Sequence, residues 1–169
     1  SVGMYATQLA NMSGARVSAV VSSESKGQEA RAAGASEVID YRKEDVAARV
    51  RELTGGAGAE CAIDVDAAAN SRHWGGMLAM GAKAVVYGSG QAQISVPFRP
   101  MILGFVTLYF FIVYKLPPEI LRQTLDGITR MLERDVLQHP RVEVLELDQI
   151  ATAHLRVERG ADAKILIKL

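Results

Sequence analysis

Apolar residues recur along the chain at two spacings that alternate from one end to the other. Met4, Leu9 and Met12 recur at helical spacing, so we expect a first helix that ends at Ser13 and Gly14. Short β-branched or apolar runs predict strands at residues 16–21, 37–40, 61–64, 84–87, 142–147 and 164–167. Helical periodicity predicts further helices at residues 26–33, 45–53, 69–80, 119–134 and 148–158. The alternation predicts an α/β fold with a mainly parallel sheet, its strands covered on both faces.

The longest apolar stretch, residues 101–113, is shorter than the roughly 20 residues that a membrane-spanning helix requires. We therefore expect a buried strand there and no membrane association. No basic start or cleavage site of a signal peptide precedes the first predicted helix. The chain carries 19 basic and 19 acidic residues, so its charge gives no sign of a nucleic-acid or polyanionic partner.

Cysteine and histidine usage argues against a metal site in this chain. The single cysteine, Cys61, cannot form an internal disulfide, and its apolar surroundings predict a buried, inert thiol in a reducing cytoplasm. His73, His139 and His154 show no ligand spacing, so we expect structural or solvent-facing roles for them. We expect no bound metal.

The start of the chain is the first of three candidate ligand sites. In open parallel sheets, ligands bind beyond the carboxyl ends of the strands, where the strand order reverses. Ser1, Val2 and Gly3 precede a helix directly and would present backbone N–H groups to a pyrophosphate. A helix start with small residues also occurs in many proteins that bind no phosphate.

The turn after the predicted strand 16–21 is the second candidate. Domains that bind NAD usually carry an acidic residue at this strand end, whereas NADP requires small and basic groups. Ser22, Ser23 and Lys26 would suit a 2′-phosphate, provided that Glu24 points to solvent. The alternative is that Ser23 only caps the next helix and that Lys26 is a solvated surface residue.

The third candidate is Tyr41, which directly follows the predicted strand 37–40. Its phenol would flank an adenine or donate to a phosphate, although an isolated tyrosine is more often a half-buried surface residue. Gly88 and Gly90 follow the predicted strand 84–87, and glycine at a strand end lets the backbone approach a ligand closely.

Several ordered stretches together resemble one family. They are residues 1–10, 14–17, 33–42, 53–56, 63–64 and the C-terminal 153–154 and 164–167. In this order they are similar to the zeta-crystallin-like NADPH:quinone oxidoreductases of the medium-chain dehydrogenase/reductase superfamily, over nearly the whole chain. The resemblance implies a Rossmann-type, doubly wound parallel sheet that binds NADPH, in an enzyme that transfers hydride to a quinone or a conjugated carbonyl.

The resemblance also implies roles for individual residues. It places Ser1 and Val2 at the pyrophosphate, Lys26 at the 2′-phosphate beside Ser22 and Ser23, Tyr41 at the adenosine, and Val65, Gly88 and Ser89 beside the nicotinamide half. It implies a homodimer through the apolar strand that runs from Phe105 to Phe110, and an unpaired apolar strand would otherwise be an aggregation hazard. No catalytic residue is implied within this chain.

The same resemblance predicts that residues 1–169 are one dinucleotide-binding domain, truncated at its N-terminus. The first strand of the sheet and a separate catalytic domain would precede Ser1, so we expect weak cofactor binding and no activity from the chain alone. Three alternatives stay open: a domain of a zinc-type alcohol dehydrogenase, a domain of an enoyl reductase, and a non-catalytic nucleotide-binding or self-associating fragment.

Overall fold

The computed structural model describes residues 2–161 and 163–169, so the predicted phosphate contact of Ser1 lies outside the described residues. The helices are α1 (Val2–Met12), α2 (Glu24–Ala32), α3 (Val46–Leu53), α4 (Ala67–Met77), α5 (Phe98–Leu103), α6 (Pro118–Glu133) and α7 (Ile150–Glu158). The strands are β1 (Ser18–Val21), β2 (Glu37–Asp40), β3 (Ala59–Asp64), β4 (Leu78–Val86), β5 (Thr107–Phe110), β6 (Val142–Glu146) and β7 (Lys164–Lys168). Short 3-10 helices cover Val113–Lys115 and Leu147–Gln149.

Every ladder between the described strands is parallel, as the sequence predicts. β1 pairs with β2, β4 lies between β3 and β5, and β6 pairs with β7. Each pair of strands is connected through a helix, which is the usual way to join parallel strands. None of the described helices is long and apolar enough to cross a lipid bilayer.

Local capping explains where several of these helices begin. The side chains of Ser23, Asp45 and Asp66 each accept a hydrogen bond from a backbone N–H in the first turn of α2, α3 and α4. Such caps satisfy donors that the helix itself leaves unpaired. At the other end of α2, Gly34 has a φ of 97°, a backbone conformation that glycine adopts without strain.

The main hydrophobic core lies between α4 and the sheet formed by β3, β4 and β5. Trp74 of α4 is completely buried there, against alanines and larger apolar residues of β4. Small side chains such as Ala82 and Ala84 leave room for the indole ring. The core therefore fixes α4 on the sheet, next to the strand ends that carry the candidate residues.

Two predicted boundaries are wrong. Residues 78–80 belong to β4 and not to a helix, because Leu78 pairs with Ala59 in the ladder to β3. The stretch 101–113 is not one buried strand. Its first residues end the short helix α5, which begins after Pro97, and only Thr107–Phe110 forms a strand.

Exposure at the sheet edges also differs from the prediction of strands covered on both faces. In the described structure β1 and β3 each have a single neighbouring strand, and Val20 and Ile63 are about half exposed, at 47% and 54%. Cys61 of β3 is exposed as well, so the prediction of a buried thiol is wrong. Cys61 and Ile63 are two residues apart and share one face of β3, and both are exposed because no described element covers that face.

Candidate functional site: the carboxyl ends of the parallel strands

The carboxyl end of β1 holds a hydroxyl and ammonium pair. Lys26 Nζ donates to Ser22 Oγ at 3.1 Å, and Lys26 N donates to Ser23 Oγ at 3.4 Å. Ser23 is thus the N-cap of α2, as the simpler interpretation predicts. The hydrogen bond to Ser22 holds the ammonium group of Lys26 at the end of β1. Glu24 is exposed. The residues at the end of β1 thus contribute one positive charge and two hydroxyls.

Tyr41 lies next to that pair because of the register between β1 and β2. Val21 and Asp40 are paired as the last residues of their strands, and Tyr41 N donates to Val21 O at 3.2 Å. The tyrosine side chain is half exposed, at 53%. The structure therefore brings Ser22 and Tyr41 to the same edge of the sheet.

A second group of predicted residues meets at the ends of β3 and β4. Ala67 N donates to Gly88 O at 3.2 Å, which holds the turn after β4 against the start of α4. A Cβ atom on Gly88 would lie 2.4 Å from the backbone oxygen of Val65. Only glycine fits at this position without a backbone shift. The close approach keeps Val65, Gly88 and Ser89 together.

A buried carboxylate at the end of β3 organises the same turn. Asp64 Oδ1 accepts from Asp66 N at 2.9 Å and from Asn70 Nδ2 at 2.8 Å. Its other oxygen accepts from Trp74 Nε1 at 3.1 Å. Asp64 is 7% exposed, so these three hydrogen bonds supply the polar partners that burial of a carboxylate requires.

Asp64 and Asp66 have no assigned role in the sequence interpretation. The signal that was available is an aspartate at the end of a predicted strand, followed two residues later by a second aspartate before a helix. That spacing is typical of a helix N-cap. The contact with Trp74 depends on how α4 packs against the sheet, which the sequence pattern does not give.

An open cleft of about 690 Å³ runs along the ends of β4 and β5. Gly88 and Ser89 line one side, and the aromatic rings of Tyr87, Tyr109 and Phe111 line another. The Phe111 ring centroid lies 6.4 Å from that of Tyr87 and 6.4 Å from that of Tyr109. The lining is mostly apolar, so the cleft suits a flat ligand with few polar groups.

The phenol of Tyr87 stays neutral over a wide pH range. Burial raises the pKa of Tyr87, and the negative charge of Asp64 raises the pKa further. Both causes disfavour the phenolate form. Tyr87 therefore presents a neutral O–H group beside the cleft.

The predicted site residues fall into two groups in the structure. Ser22, Ser23, Lys26 and Tyr41 gather at the β1–β2 end, and Val65, Gly88 and Ser89 gather at the β3–β4 end. Val2 is exposed at the first turn of α1. Within residues 2–161 and 163–169, no hydrogen bond joins one group to the other.

Parallel strands joined by helices, with a glycine turn and a serine–lysine pair at the strand ends, define a nucleotide-binding domain of the Rossmann type. Comparisons with known proteins then identify the family. The family described as zinc-binding dehydrogenase matches residues 1–130. The chain belongs to this family.

Individual relatives are quinone oxidoreductases. One from Pseudomonas aeruginosa is 29% identical over 98% of this chain and 53% of its own length. One from Salmonella typhimurium is 47% identical over 32% of this chain and 17% of its own length. The crystal structure of one from Pseudomonas syringae has a TM-score of 0.79 at 26% identity, covering 99% of this chain and 53% of that chain.

These comparisons confirm the resemblance to quinone oxidoreductases of the medium-chain dehydrogenase/reductase superfamily. The chain therefore carries the dinucleotide-binding fold of the zinc-binding dehydrogenase family, and the relatives that it matches are quinone oxidoreductases. It spans about half the length of the Pseudomonas aeruginosa relative, 53%.

The family description mentions zinc, and the residues described here do not fit that ion. Zinc in proteins is held by three or four cysteine, histidine or carboxylate side chains. No group of three such side chains with a suitable arrangement occurs in residues 2–161 and 163–169. We therefore derive no step that involves zinc from this chain.

Proposed function

We propose that the chain binds NADPH along the carboxyl ends of β1, β3 and β4, as part of an enzyme that reduces a quinone or a related conjugated carbonyl. The observation that carries the choice of NADPH is the hydrogen bond from Lys26 Nζ to Ser22 Oγ at the end of β1. A dinucleotide domain specific for NAD would place a carboxylate there to bind the ribose 2′-hydroxyl. An ammonium group and two hydroxyls instead suit the 2′-phosphate.

The residues present fit such a cofactor at both of its ends. Lys26, Ser22 and Tyr41 would hold the adenosine 2′-phosphate end, and the first turn of α1 at Val2 would face the pyrophosphate. Gly88, which has no room for a Cβ atom, and Ser89 would lie beside the nicotinamide. Bound there, the cofactor would supply the hydride.

The chain's own contribution is to bind and orient. The open, apolar cleft at Tyr87, Tyr109 and Phe111 would hold a flat acceptor beside the cofactor. The phenol of Tyr87, which is neutral at physiological pH, would offer an O–H donor to a carbonyl oxygen. No residue of this chain is assigned as a proton donor in the reaction.

The domain organisation is also a proposal. We propose that residues 1–169 form one dinucleotide-binding domain, that a further strand lies between β1 and β3, and that a separate domain completes the substrate site. In the described structure β1 and β3 each have one neighbouring strand, and their unpaired edges support the extra strand. The greater length of the Pseudomonas aeruginosa relative supports the second domain.

We propose a homodimer that forms through β5. Tyr109 and Phe110 are more than half exposed, and β5 has a neighbour, β4, on one side only among the described strands. Thr107→Lys would place a charge on this edge and should weaken the dimer in sedimentation experiments, whereas Thr152→Lys on exposed α7 should not. A dimer of unchanged strength in Thr107→Lys would rule out this edge.

A cytoplasmic location is the last part of the proposal. The single cysteine suits a reducing compartment, and the NADPH that the site would use is a cytoplasmic reductant. Cell fractionation with an antibody against the chain would test it, and recovery outside the cytoplasmic fraction would contradict it.

The cofactor preference can be tested at the adenosine end alone. Adenosine 2′,5′-bisphosphate should shift the NMR signals of Ser22, Ser23, Lys26 and Tyr41 more strongly than ADP does. Lys26→Ala should weaken its binding by about tenfold or more, since a charge-assisted hydrogen bond contributes roughly 1.5–3 kcal/mol. Lys164→Ala, on an exposed strand position, is the matched control.

Whole cofactors complete this test. We expect NADPH to quench protein fluorescence at lower concentration than NADH, with weak binding because residues 2–161 and 163–169 do not supply the proposed strand between β1 and β3. Micromolar affinity for NADPH would overturn the expectation of weak binding. The absence of any dinucleotide binding, together with a clean dimer, would instead support a self-associating module.

A further inference from the structure

We propose that Asp66 is a positioning residue for the cofactor, because it fixes the loop 88–90 against the start of α4. The inference rests on the proposed function, in which Gly88 and Ser89 lie beside the nicotinamide half of the dinucleotide. Neither the sequence pattern nor the contacts proposed above for NADPH give the side chain of Asp66 a role.

The geometry at Asp66 joins two elements through one carboxylate. Asp66 Oδ1 accepts from Gly90 N at 2.8 Å and from Ala69 N at 3.3 Å. The first bond holds the loop after β4, and the second caps α4. A helix cap alone requires only the second bond, so the bond to Gly90 needs a separate explanation.

Steric limits at Gly90 show how closely the carboxylate approaches. A Cβ atom on Gly90 would lie 3.3 Å from Asp66 Oδ2 and 3.4 Å from Asp66 Oδ1. On the other side of Ser89, Gly88 O accepts from Ala67 N at 3.2 Å. Ser89 is therefore the one residue between two anchored glycines, and both anchors lie at the first turn of α4.

Asp64 in turn fixes the backbone of Asp66, whose side chain makes the contact. Asp66 N donates to Asp64 Oδ1 at 2.9 Å, and Asp64 is itself bound to the buried ring of Trp74. The chain of contacts runs from the core through Asp64 and Asp66 to Gly90. The position of Ser89 is thus set by a rigid part of the fold, although Ser89 is exposed.

Asp45 provides a matched control within the chain. It is the N-cap of α3, and its Oδ1 accepts from Ala48 N at 2.7 Å. Replacing Asp45 or Asp66 by alanine removes a helix cap in both cases, and both variants should lower the unfolding midpoint. Only Asp66→Ala also releases the loop.

The first test measures the loop without any cofactor. Amide hydrogen exchange at Gly90 should become faster by about tenfold or more in Asp66→Ala, because the exchanging N–H loses its acceptor. Asp66→Asn keeps an oxygen acceptor and should retain most of the protection, and Asp45→Ala should leave Gly90 unchanged. Unchanged exchange at Gly90 in Asp66→Ala would overturn the inference.

The second test separates the two ends of the cofactor. Asp66→Ala should weaken NADPH binding by about fivefold or more, while its affinity for adenosine 2′,5′-bisphosphate, which occupies the other end, stays that of the wild type. Asp66→Asn should restore NADPH binding. An equal loss of NADPH affinity in Asp66→Ala and Asp45→Ala would mean that Asp66 acts only as a helix cap, and it would overturn the inference. If the wild-type chain binds no dinucleotide, the proposed function fails, and the positioning role fails with it.

Discussion

The side chain of Gln8 and the backbone of Gln138 form two hydrogen bonds across a sequence separation of 130 residues. Gln8 Nε2 donates to Gln138 O at 3.0 Å, and Gln138 N donates to Gln8 Oε1 at 2.7 Å. One residue further along, Tyr5 Oη lies 2.9 Å from His139 Nδ1. These contacts attach α1, whose first turn would face the pyrophosphate, to the segment that follows α6.

Gln8→Ala should therefore lower the free energy of unfolding by about 1–3 kcal/mol, since it leaves a partly buried backbone N–H and C=O without partners. Gln8 is 5% exposed, so water does not readily replace the lost amide. Urea denaturation would measure the change. Gln28→Ala, at an exposed position of α2, should change the stability little. Equal effects of the two substitutions would mean that the Gln138 contact contributes nothing.

The space around two glycines, Gly88 in the turn after β4 and Gly127 inside α6, predicts opposite effects for their substitution. Gly88→Ala should destabilise the fold by about 1–3 kcal/mol, because overpacking forces backbone to move. The new Cβ would lie 2.4 Å from Val65 O. Gly127→Ala should instead stabilise by about 0.5–1 kcal/mol, because the position is inside α6 with open space around it.

Thermal unfolding of both variants would check this pair. A stable Gly88→Ala variant would show that the turn can relax at no cost. In that case the close approach to Val65 would no longer explain why glycine occupies the strand end. Gly127→Ala reports only on helix propensity and controls for the general effect of adding a methyl group.

Most elements could be predicted because their signals are local. Gly34 after α2, Asp45 before α3 and Pro118 at the start of α6 each mark a boundary by their own backbone or capping chemistry. The serine–lysine pair at the end of β1 is local too, since Ser22 and Lys26 are one helical turn apart. Sequence patterns are strongest where neighbours in the chain are also neighbours in space.

The wrong predictions occur where residues distant in the chain determine the local structure. Leu78 has helical periodicity, but the ladder to Ala59 places it in a strand. Cys61 has apolar neighbours, but it lies on a face of β3 that no described element covers, which no local pattern shows. Directly before the stretch 101–113 a signal was present: Pro100 fits the first turn of a short helix and has no N–H for a central strand.

The buried carboxylate at the end of β3 should be essential for stability. Asp64→Ala removes three acceptor contacts and leaves Trp74 Nε1 unpaired in the core, which should cost about 3 kcal/mol or more. Asp64→Asn keeps one acceptor oxygen and should cost less. Trp74 is the only tryptophan, so its fluorescence in urea denaturation reports directly on this contact.

Asp126→Ala, on an exposed position of α6, is the control for the loss of one aspartate. We expect it to leave both the unfolding midpoint and the tryptophan emission maximum unchanged. An Asp64→Ala variant as stable as the wild type would show that water replaces the carboxylate, and the proposed path from the core to Gly90 would then lose its first step.

Alkaline pH should destabilise the fold through Tyr87. Its pKa is raised from the ordinary 10.0 by burial, with a further contribution from the charge of Asp64, so the folded chain holds the phenolic proton more tightly than the unfolded chain does. A raised folded pKa gives a contribution that is intact below the unfolded pKa and lost as the pH rises through the folded value. Between about pH 8 and about pH 11, the wild type should therefore lose more stability than Tyr87→Phe, as measured by urea denaturation.

Tyr114→Phe, which also removes one phenol but from an exposed position, controls for the substitution itself. Identical losses in the wild type and Tyr87→Phe would show that burial and Asp64 leave the ionisation of Tyr87 the same in the folded and unfolded states, which would contradict a raised pKa of Tyr87.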